Sequence, residues 1–210
     1  MVLNSFRKEA DTIILPIAKK MKNISPNTLT WLAFLSAVIA GILFYLSDPH
    51  FIFLASLFIL SNSFFDAMDG RVAKLTGKAD RKGDFLDHTL DRYADIFILG
   101  GVAFSSTCRL SIGLIAILGV LLTSYMGTQA HAVGVGRDYG GIAGRADRLI
   151  LLIFIPIIYF ILINFYTANF TIFDINFTLI ETMMIWFALA GNYTAIKRGV
   201  SAWKDLKKEE

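Results

Sequence analysis

Four aspartates with helical spacing are the side chains of this apolar chain that could best support chemistry. Asp66 and Asp69 lie three positions apart, and Asp87 and Asp91 lie four apart, so each pair shares one face of a helix. A single such pair often only completes ion pairs, but four facing carboxylates repel unless protons or cations neutralise them. Oxygen-only ligands favour Mg²⁺, Mn²⁺ or Ca²⁺. We therefore predict a metal site at Asp66, Asp69, Asp87 and Asp91, with Mg²⁺ or Mn²⁺ as cofactor and two ions expected.

Small residues stand between these aspartates, at Gly70, Ala73 and Gly83. They would let a bulky phosphoanhydride approach the backbone closely. Because carboxylate-bound Mg²⁺ usually serves a phosphate-bearing substrate, this pattern indicates phosphoryl-transfer chemistry.

The whole stretch has a defined order. It reads Asp66-Ala-Met-Asp69-Gly70-Arg-Val-Ala73-Lys74, then eight residues, then Gly83-Asp-Phe-Leu-Asp87-His-Thr-Leu-Asp91. This resembles the signature of the CDP-alcohol phosphotransferase family, which is Asp-x-x-Asp-Gly-x-x-Ala-Arg, eight residues, Gly-x-x-x-Asp-x-x-x-Asp. Lys74 is the one departure, and it offers a point charge where the family's Arg offers a planar fork for phosphate.

The resemblance implies an enzyme of phospholipid biosynthesis. Such an enzyme transfers a phosphatidyl or archaetidyl group from a CDP-linked lipid to a polar alcohol and releases CMP. It also implies a homodimer. Asp91, one turn beyond Asp87, is then the candidate catalytic base that takes the proton of the acceptor hydroxyl.

Helix-start residues near the first apolar run also fall within this resemblance. Ser25 and Pro26 are ordinary residues for a helix start, and family members often carry a similar Pro-Asn-x-x-Thr here. The residues expected to bind the nucleotide are Asn27, Thr30, Asp66, Asp69, Gly70, Ala73, Lys74 and Gly83.

A later polar segment is expected to hold the acceptor alcohol. The loop after the fourth apolar run is rich in glycine and arginine, and arginine suits a second phosphate. The alternative is simple anchoring of a cytoplasmic loop by positive charge. The residues expected to bind the acceptor are Gln129, Arg137, Arg145 and Arg148.

The acceptor itself is expected to be a glycerol phosphate. The segment from Ser124 to Arg148 is similar to archaeal archaetidylglycerolphosphate synthases. Related enzymes that use inositol phosphate, including archaetidylinositol phosphate synthases, tend to be basic where this chain has Gly127 and Gln129. Inositol phosphate, or another alcohol such as serine, stays open as the alternative.

The composition predicts an all-α integral membrane protein. Of 210 residues, 55% are hydrophobic, and six apolar runs approach the length of about 20 residues that a bilayer core requires. We expect a single domain over residues 1–210, with an interfacial helix at 1–22 and a cytoplasmic tail at 196–210. The predicted spans cover residues 29–46, 51–65, 85–104, 112–130, 149–165 and 177–195.

Basic residues cluster at alternate ends of these spans, which predicts their orientation. Lysines and arginines are frequent before the first span, after the second and fourth, and in the tail, while the other connections hold only Arg109. By the positive-inside rule, both termini and the aspartate site face the cytoplasm. The net charge of +3 is spread along this membrane face and gives no case for a nucleic-acid partner.

Two other functional classes use similar acids. Intramembrane prenyltransferases need a second aspartate-rich motif, which the later acids of this chain do not form. A divalent-cation transporter needs acids along a path across the bilayer, but here they cluster near one side. Both interpretations are weaker than that of a CDP-dependent transferase.

Overall fold

The computed structural model describes residues 14–136, 142, 144–165, 169–172 and 175–209. Residues 14–20 are helical and precede a bundle of longer helices. These are α1 (Pro26–Tyr45), α2 (Pro49–Thr76), α3 (Arg81–Ala103), α4 (Leu110–Ala132), α5 (Arg145–Phe165) and α6 (Leu179–Glu209).

A short turn joins α2 to α3 and brings the two aspartate-bearing helix ends together. Gly77 ends α2 with a φ of 66°, a left-handed conformation that glycine adopts without strain. Asp80 then caps α3, because its side chain accepts a 2.7 Å hydrogen bond from the backbone N–H of Gly83. The turn therefore fixes how the acids on the two helices face one another.

A two-stranded antiparallel hairpin lies between α5 and α6. Its strands are β1 (Asn169–Ile172) and β2 (Ile175–Thr178), and Asn169 pairs with Thr178. The sequence prediction treated this region as a plain connection. It is the one non-helical element in the described part of the chain.

The core lies where α1 packs against α2 and α3, and where α4 packs along α6. Helix α5 contacts α2, and α3 contacts α4. Buried apolar side chains from all six of these helices form one continuous cluster. Its largest members include Phe44, Ile52, Ile59, Leu99, Val120, Met184 and Phe187.

Helices α1 and α3 approach so closely that only glycine fits at their crossing. A Cβ added at Gly101 would lie 2.0 Å from the carbonyl oxygen of Gly41. Because that neighbour is backbone, it cannot turn aside as a flexible side chain would. The crossing therefore sets the distance between the start of α1 and the acids of α3.

An ion pair between a half-exposed arginine and a buried glutamate closes the opposite end of the bundle. Arg109, just before α4, donates through Nε and Nη2 to the carboxylate of Glu181 at 2.7 Å each. Glu181 lies near the start of α6 and is 3% exposed. The pair holds the α3–α4 connection to α6.

The composition of the helices is that of a membrane protein. Five of the described helices, α1, α2, α4, α5 and α6, are long and apolar enough to cross a bilayer. Helix α3 does not reach the same apolarity because charged residues, several of them at the site, occur along it from Arg81 to Asp95. An all-helical, multi-pass fold is thus confirmed in its main features.

The helices include the six predicted apolar runs apart from one or two residues at some ends, such as 177 and 178, which belong to β2. Helix α2 continues beyond its predicted run to Thr76, so Asp66 and Asp69 lie within it. Helix α6 continues without a break through Glu209, so the residues predicted as a tail from 196 onward extend that helix. Only residues from 14 onward of the predicted interfacial helix are described, and the remainder lies outside the described residues.

The close crossing of α1 and α3 predicts that a side chain at Gly101 destabilises the protein. We expect Gly101→Ala to lower the free energy of unfolding by about 1–3 kcal/mol, because the new methyl group must push two backbones apart. In the control, Gly100→Ala, a Cβ meets nothing within 4 Å. That change should leave stability unchanged or raise it by up to about 1 kcal/mol through helix propensity. Thermal unfolding of both variants in detergent measures this, and equal midpoints would contradict the close contact.

Candidate active site

The aspartates of α2 and α3 converge at the end of the bundle where the two helices are joined. Carboxylate oxygens of Asp66, Asp69 and Asp87 all lie within 4.8 Å of one another. A second group, of Asp87, His88 and Asp91, meets the same limit. The structure thus brings together all four aspartates that the sequence pattern singled out, and Asp87 belongs to both groups.

Two observations indicate that this cluster suits a divalent cation. Asp69 is only 6% exposed, and Thr30 Oγ1 donates a 2.8 Å hydrogen bond to its Oδ2. Asp87 Oδ1 is buried and has no hydrogen-bond partner among the described residues. A buried carboxylate oxygen without a partner is costly, and a cation would satisfy it. The carboxylate donors fit Mg²⁺ or Mn²⁺.

Arg145, at the start of α5, neutralises the other two acids. Its Nη1 donates to Asp91 Oδ2 at 2.6 Å, and its Nη2 donates to Asp91 Oδ1 at 2.5 Å and to Asp66 Oδ1 at 2.8 Å. Asp91 is 8% exposed, so the contact is largely shielded from water. The guanidinium therefore fixes the orientation of Asp91.

A cleft of about 180 Å³ opens on one side of the acids, between the starts of α1 and α3 and the end of α2. It contains every residue expected to bind the nucleotide except Asp66, which faces Arg145 instead. Lys78 and Asp80 add to the lining. The predicted residues in the lining are Asn27, Thr30, Asp69, Gly70, Ala73, Lys74 and Gly83.

A larger cavity of about 780 Å³ lies on the other side, between α3, α4, α5 and α6. Asp91 and Arg145 line it, together with Arg92 from α3 and Arg198 from α6. Three guanidinium groups and one carboxylate therefore share this space. It is suited to a polar, anionic molecule.

The residues expected to bind the acceptor are only partly brought together. Arg145 lines the large cavity, but Arg148 is 4% exposed and donates to Asp95 Oδ2 at 3.2 Å, so it is used inside the protein. Gln129 is exposed on α4 and is absent from the lining. Arg137 lies outside the described residues.

The geometry agrees with a comparison of the sequence with protein families. A model of CDP-alcohol phosphatidyltransferases matches residues 23–193, which is most of the chain. The chain belongs to this family. The resemblance inferred from the aspartate motif is thereby confirmed.

Curated relatives of this CDP-alcohol phosphatidyltransferase come from archaea and bacteria. Archaetidylinositol phosphate synthase of Pyrococcus horikoshii is 36% identical over 61% of this chain and 67% of its own length. The enzyme of the same name from Methanothermobacter thermautotrophicus is 28% identical over 98% of this chain and 96% of its own. Phosphatidylinositol phosphate synthase of Cutibacterium acnes is 30% identical over 71% of this chain and 75% of its own.

Solved structures share the fold. Phosphatidylinositol phosphate synthase of Mycobacterium tuberculosis with CDP-DAG bound superposes with a TM-score of 0.72 at 24% identity, over 91% of this chain and 94% of that one. The same enzyme with manganese and citrate gives a TM-score of 0.72 at 23% identity, over 90% of this chain and 88% of that one.

Family membership establishes the class of reaction. The CDP-alcohol phosphatidyltransferase is a membrane-bound transferase of substituted phosphate groups, acting in phospholipid synthesis on a CDP-linked lipid and an alcohol acceptor. Its cofactor is a divalent cation, Mg²⁺ or Mn²⁺, for which the acid clusters offer ligands. The predicted enzyme class, cofactor and substrates are confirmed, and the prenyltransferase and transporter interpretations are not supported.

Sequence reasoning missed three polar residues in this part of the transferase. Arg92 contacts Asp91 at 3.5 Å and Asp95 at 3.4 Å, and its position next to Asp91 was a usable signal. His88 also stands next to a motif aspartate. Arg198, 9% exposed, was counted only as a tail charge, and no motif spacing links it to the site.

Because Asp87 belongs to both acid groups, its substitution should affect both metal binding and activity. We expect Asp87→Asn to weaken Mn²⁺ binding and to lower CMP release at least about 100-fold, because both ligand groups lose a charge. Asp48→Asn is the control, since it makes the same change at the far end of α2, where Asn caps a helix as well as Asp does. Free Mn²⁺ measured by electron paramagnetic resonance gives the affinity. Equal Mn²⁺ affinity in the two variants would contradict the ligand role.

Proposed function

We propose that this transferase moves the lipid-linked phosphate group of a CDP-lipid onto an inositol phosphate and releases CMP. The observation that carries the proposal is the identity of its relatives, which are named archaetidylinositol phosphate and phosphatidylinositol phosphate synthases. They favour inositol phosphate over the glycerol phosphate expected from the sequence.

The expectation of glycerol phosphate rested on the lack of basic side chains at Gly127 and Gln129. That argument considered single positions of α4, whereas positive charge reaches the large cavity from other helices. Gly127 does line the cavity, but Arg92, Arg145 and Arg198 line it too. An inositol phosphate therefore has cationic partners there without a basic residue at position 127.

The CDP-lipid donor binds at the acid cluster and in the small cleft. Asp66, Asp69 and Asp87 would hold the divalent cation, and Asp91 would be available to a second one. When bound, the cation neutralises charge on the pyrophosphate of the donor and on the departing CMP.

The cleft accommodates the nucleotide beside these acids. Lys74 and Lys78 supply positive charge there, and Gly83 leaves room next to the amide of Asn27. A Cβ at Gly83 would come 3.6 Å from Asn27 Oδ1 and 3.2 Å from Asp80 Oδ1, so a larger side chain would crowd the cleft. Thr30 keeps Asp69 oriented through its hydrogen bond.

Asp91 is the general base in this proposal. It accepts the proton of the acceptor hydroxyl as that oxygen forms a bond to the lipid-side phosphorus. The bond from this phosphorus to the bridging oxygen breaks, and CMP leaves with the electron pair. Arg145 holds both oxygens of Asp91 and so fixes the direction from which the hydroxyl approaches.

The phosphate of the acceptor is bound in the large cavity by Arg92, Arg145 and Arg198. Arg148 supports this site indirectly, because it holds Asp95, which in turn contacts Arg92 at 3.4 Å. The predicted role of Arg137 in acceptor binding remains part of the proposal on sequence grounds alone.

We further propose six membrane spans, with α3 as the sixth. The charges of α3 lie between Arg81 and Asp95, and the rest, from Ile96 to Ala103, is apolar. Both termini and the active site face the cytoplasm, because the basic connections lie at the same end of the bundle as the aspartates. The nucleotide and the cation are then available on that side.

The beginning of the chain supports an interfacial helix. Within residues 14–20, Ala18 is fully buried against Leu29, Met68 and Val72, whereas Lys19 and Lys20 are exposed. A helix that packs one side on the bundle and turns lysines to the membrane surface lies in the interface. The proposal covers a single domain over residues 1–210 and a homodimer, as the resemblance implies.

Release of CMP by purified protein tests the proposed reaction. With Mg²⁺ and a CDP-lipid we compare inositol phosphate, glycerol phosphate, serine and no acceptor, using diacyl and archaetidyl donors in parallel. Inositol phosphate should give at least about tenfold more CMP than the other acceptors. Asp91→Asn should lower the rate at least about 100-fold, because the general base is lost.

Preference for glycerol phosphate would restore the acceptor expected from the sequence and overturn the inositol proposal. CMP release that is unchanged in Asp91→Asn would overturn the assignment of the general base. Asp48→Asn again serves as the control for the chemical change itself.

A further inference from the structure

A short basic segment precedes the first long helix of the bundle. Residues 14–20 are helical, and backbone hydrogen bonds continue the turns as far as Ile24. Helix α1 is apolar enough to cross a bilayer and begins two residues later, at Pro26. Residues 14–24, here called the surface segment, therefore lie next to the membrane surface.

The exposed side of the surface segment combines lysines with apolar residues. Lys19, Lys20 and Lys22 are exposed, and so are Leu15 and Ile24. Three lysines and no aspartate or glutamate give residues 14–24 a charge of +3. Such a mixture suits the headgroup layer of a bilayer, where lysines contact lipid phosphate and apolar side chains enter the acyl boundary.

The opposite side of the surface segment packs on the bundle close to the acids of the active site. Ala18 is fully buried in a cluster that includes Leu29 and Met68. Met68 directly precedes Asp69 in α2, and Leu29 directly precedes Thr30, which donates its hydrogen bond to Asp69. A contact that holds the surface segment in place therefore also holds the backbone beside Asp69.

The charge of the surface segment favours anionic over neutral lipids. A zwitterionic headgroup has no net charge to attract lysine, whereas an anionic membrane surface increases affinity about fivefold for each lysine near it. Three such lysines within four positions give a preference on the order of 100-fold. Orientation of the chain by positive charge alone does not require that the lysines share one exposed side with apolar residues.

We propose that the surface segment binds the headgroups of anionic phospholipids in the surrounding bilayer, and that this contact activates the transferase. Through Ala18 and its neighbours, the bound segment stabilises the turn of α2 that carries Asp69. The rate of the reaction then depends on the charge of the membrane as well as on the substrates. The inference goes beyond the proposed function and does not depend on which alcohol is the acceptor.

Hydrogen exchange in lipid nanodiscs tests the binding. The full chain is reconstituted in phosphatidylcholine alone and in phosphatidylcholine mixed with phosphatidylglycerol. Amides of residues 14–24 should exchange on the order of tenfold more slowly in the mixed bilayer, because bound lipid opposes local unfolding. A variant that combines Lys19→Gln, Lys20→Gln and Lys22→Gln should lose this difference.

A matched control removes the same charge from the other end of the chain. It combines Lys204→Gln, Lys207→Gln and Lys208→Gln, near the end of α6. This control should respond to phosphatidylglycerol as the wild type does. Arginine at the three lysine positions of the surface segment should also keep the response, because the interaction requires positive charge.

CMP release in the same nanodiscs tests the activation. The amount of CDP-lipid is held constant, and the acceptor is the one that gives the highest rate. Phosphatidylglycerol should raise the rate several-fold in the wild type and in the α6 control, but not in the variant of the surface segment. Added salt should reduce the rise, because it screens exposed charges.

Three results would overturn the proposal. The first is equal protection of residues 14–24 in neutral and mixed bilayers. The second is an equal rise in rate in the wild type and in the variant of the surface segment, which would trace the effect to bulk surface charge. The third is protection of the segment without any rise in rate, which would reject the activation.

Discussion

Mutual repulsion of the motif carboxylates is the constraint on which the bundle depends. The acids are compensated by three different means. Asp91 and Asp66 share Arg145, Asp69 accepts a hydrogen bond from Thr30, and Asp87 keeps one buried oxygen unpaired in the described part of the chain. A buried charge that lacks a partner is strongly destabilising. The protein therefore supplies part of the compensation itself and leaves the rest to a cation.

This arrangement requires helices that are distant in sequence to meet at one end of the bundle. The short turn from Gly77 to Asp80 brings α2 and α3 together, and the close contact of Gly101 with Gly41 sets α1 against α3. Helix α5 contacts α2, and its first residue, Arg145, reaches the acids. Because the partners come from four helices, an error at one crossing would separate charges that stabilise one another.

The features that are predicted best from the sequence are those that helical periodicity determines. Residues three or four apart share a helix face, so the clustering of the aspartates and the positions of Asn27 and Thr30 beside them agree with the pattern. Contacts between side chains of distant helices do not follow from periodicity, since the direction of a long side chain depends on tertiary packing. Arg198 lies in the cavity, whereas Gln129 is exposed, although sequence reasoning gave only Gln129 a role at the site. The acceptor expectation was unsupported for the same reason, because the charge comes from neighbouring helices.

The two cavities together explain how donor and acceptor can meet. Asp87 lines the smaller cavity and Asp91 the larger one, and residues four apart on a helix are separated by about 6 Å along its axis. In-line displacement at phosphorus requires the attacking oxygen and the leaving oxygen to lie on opposite sides. In the proposed reaction, CMP leaves on the side of Asp87 and the hydroxyl arrives on the side of Asp91. The residues of the large cavity can then change to suit another alcohol while the acids that handle the pyrophosphate stay the same.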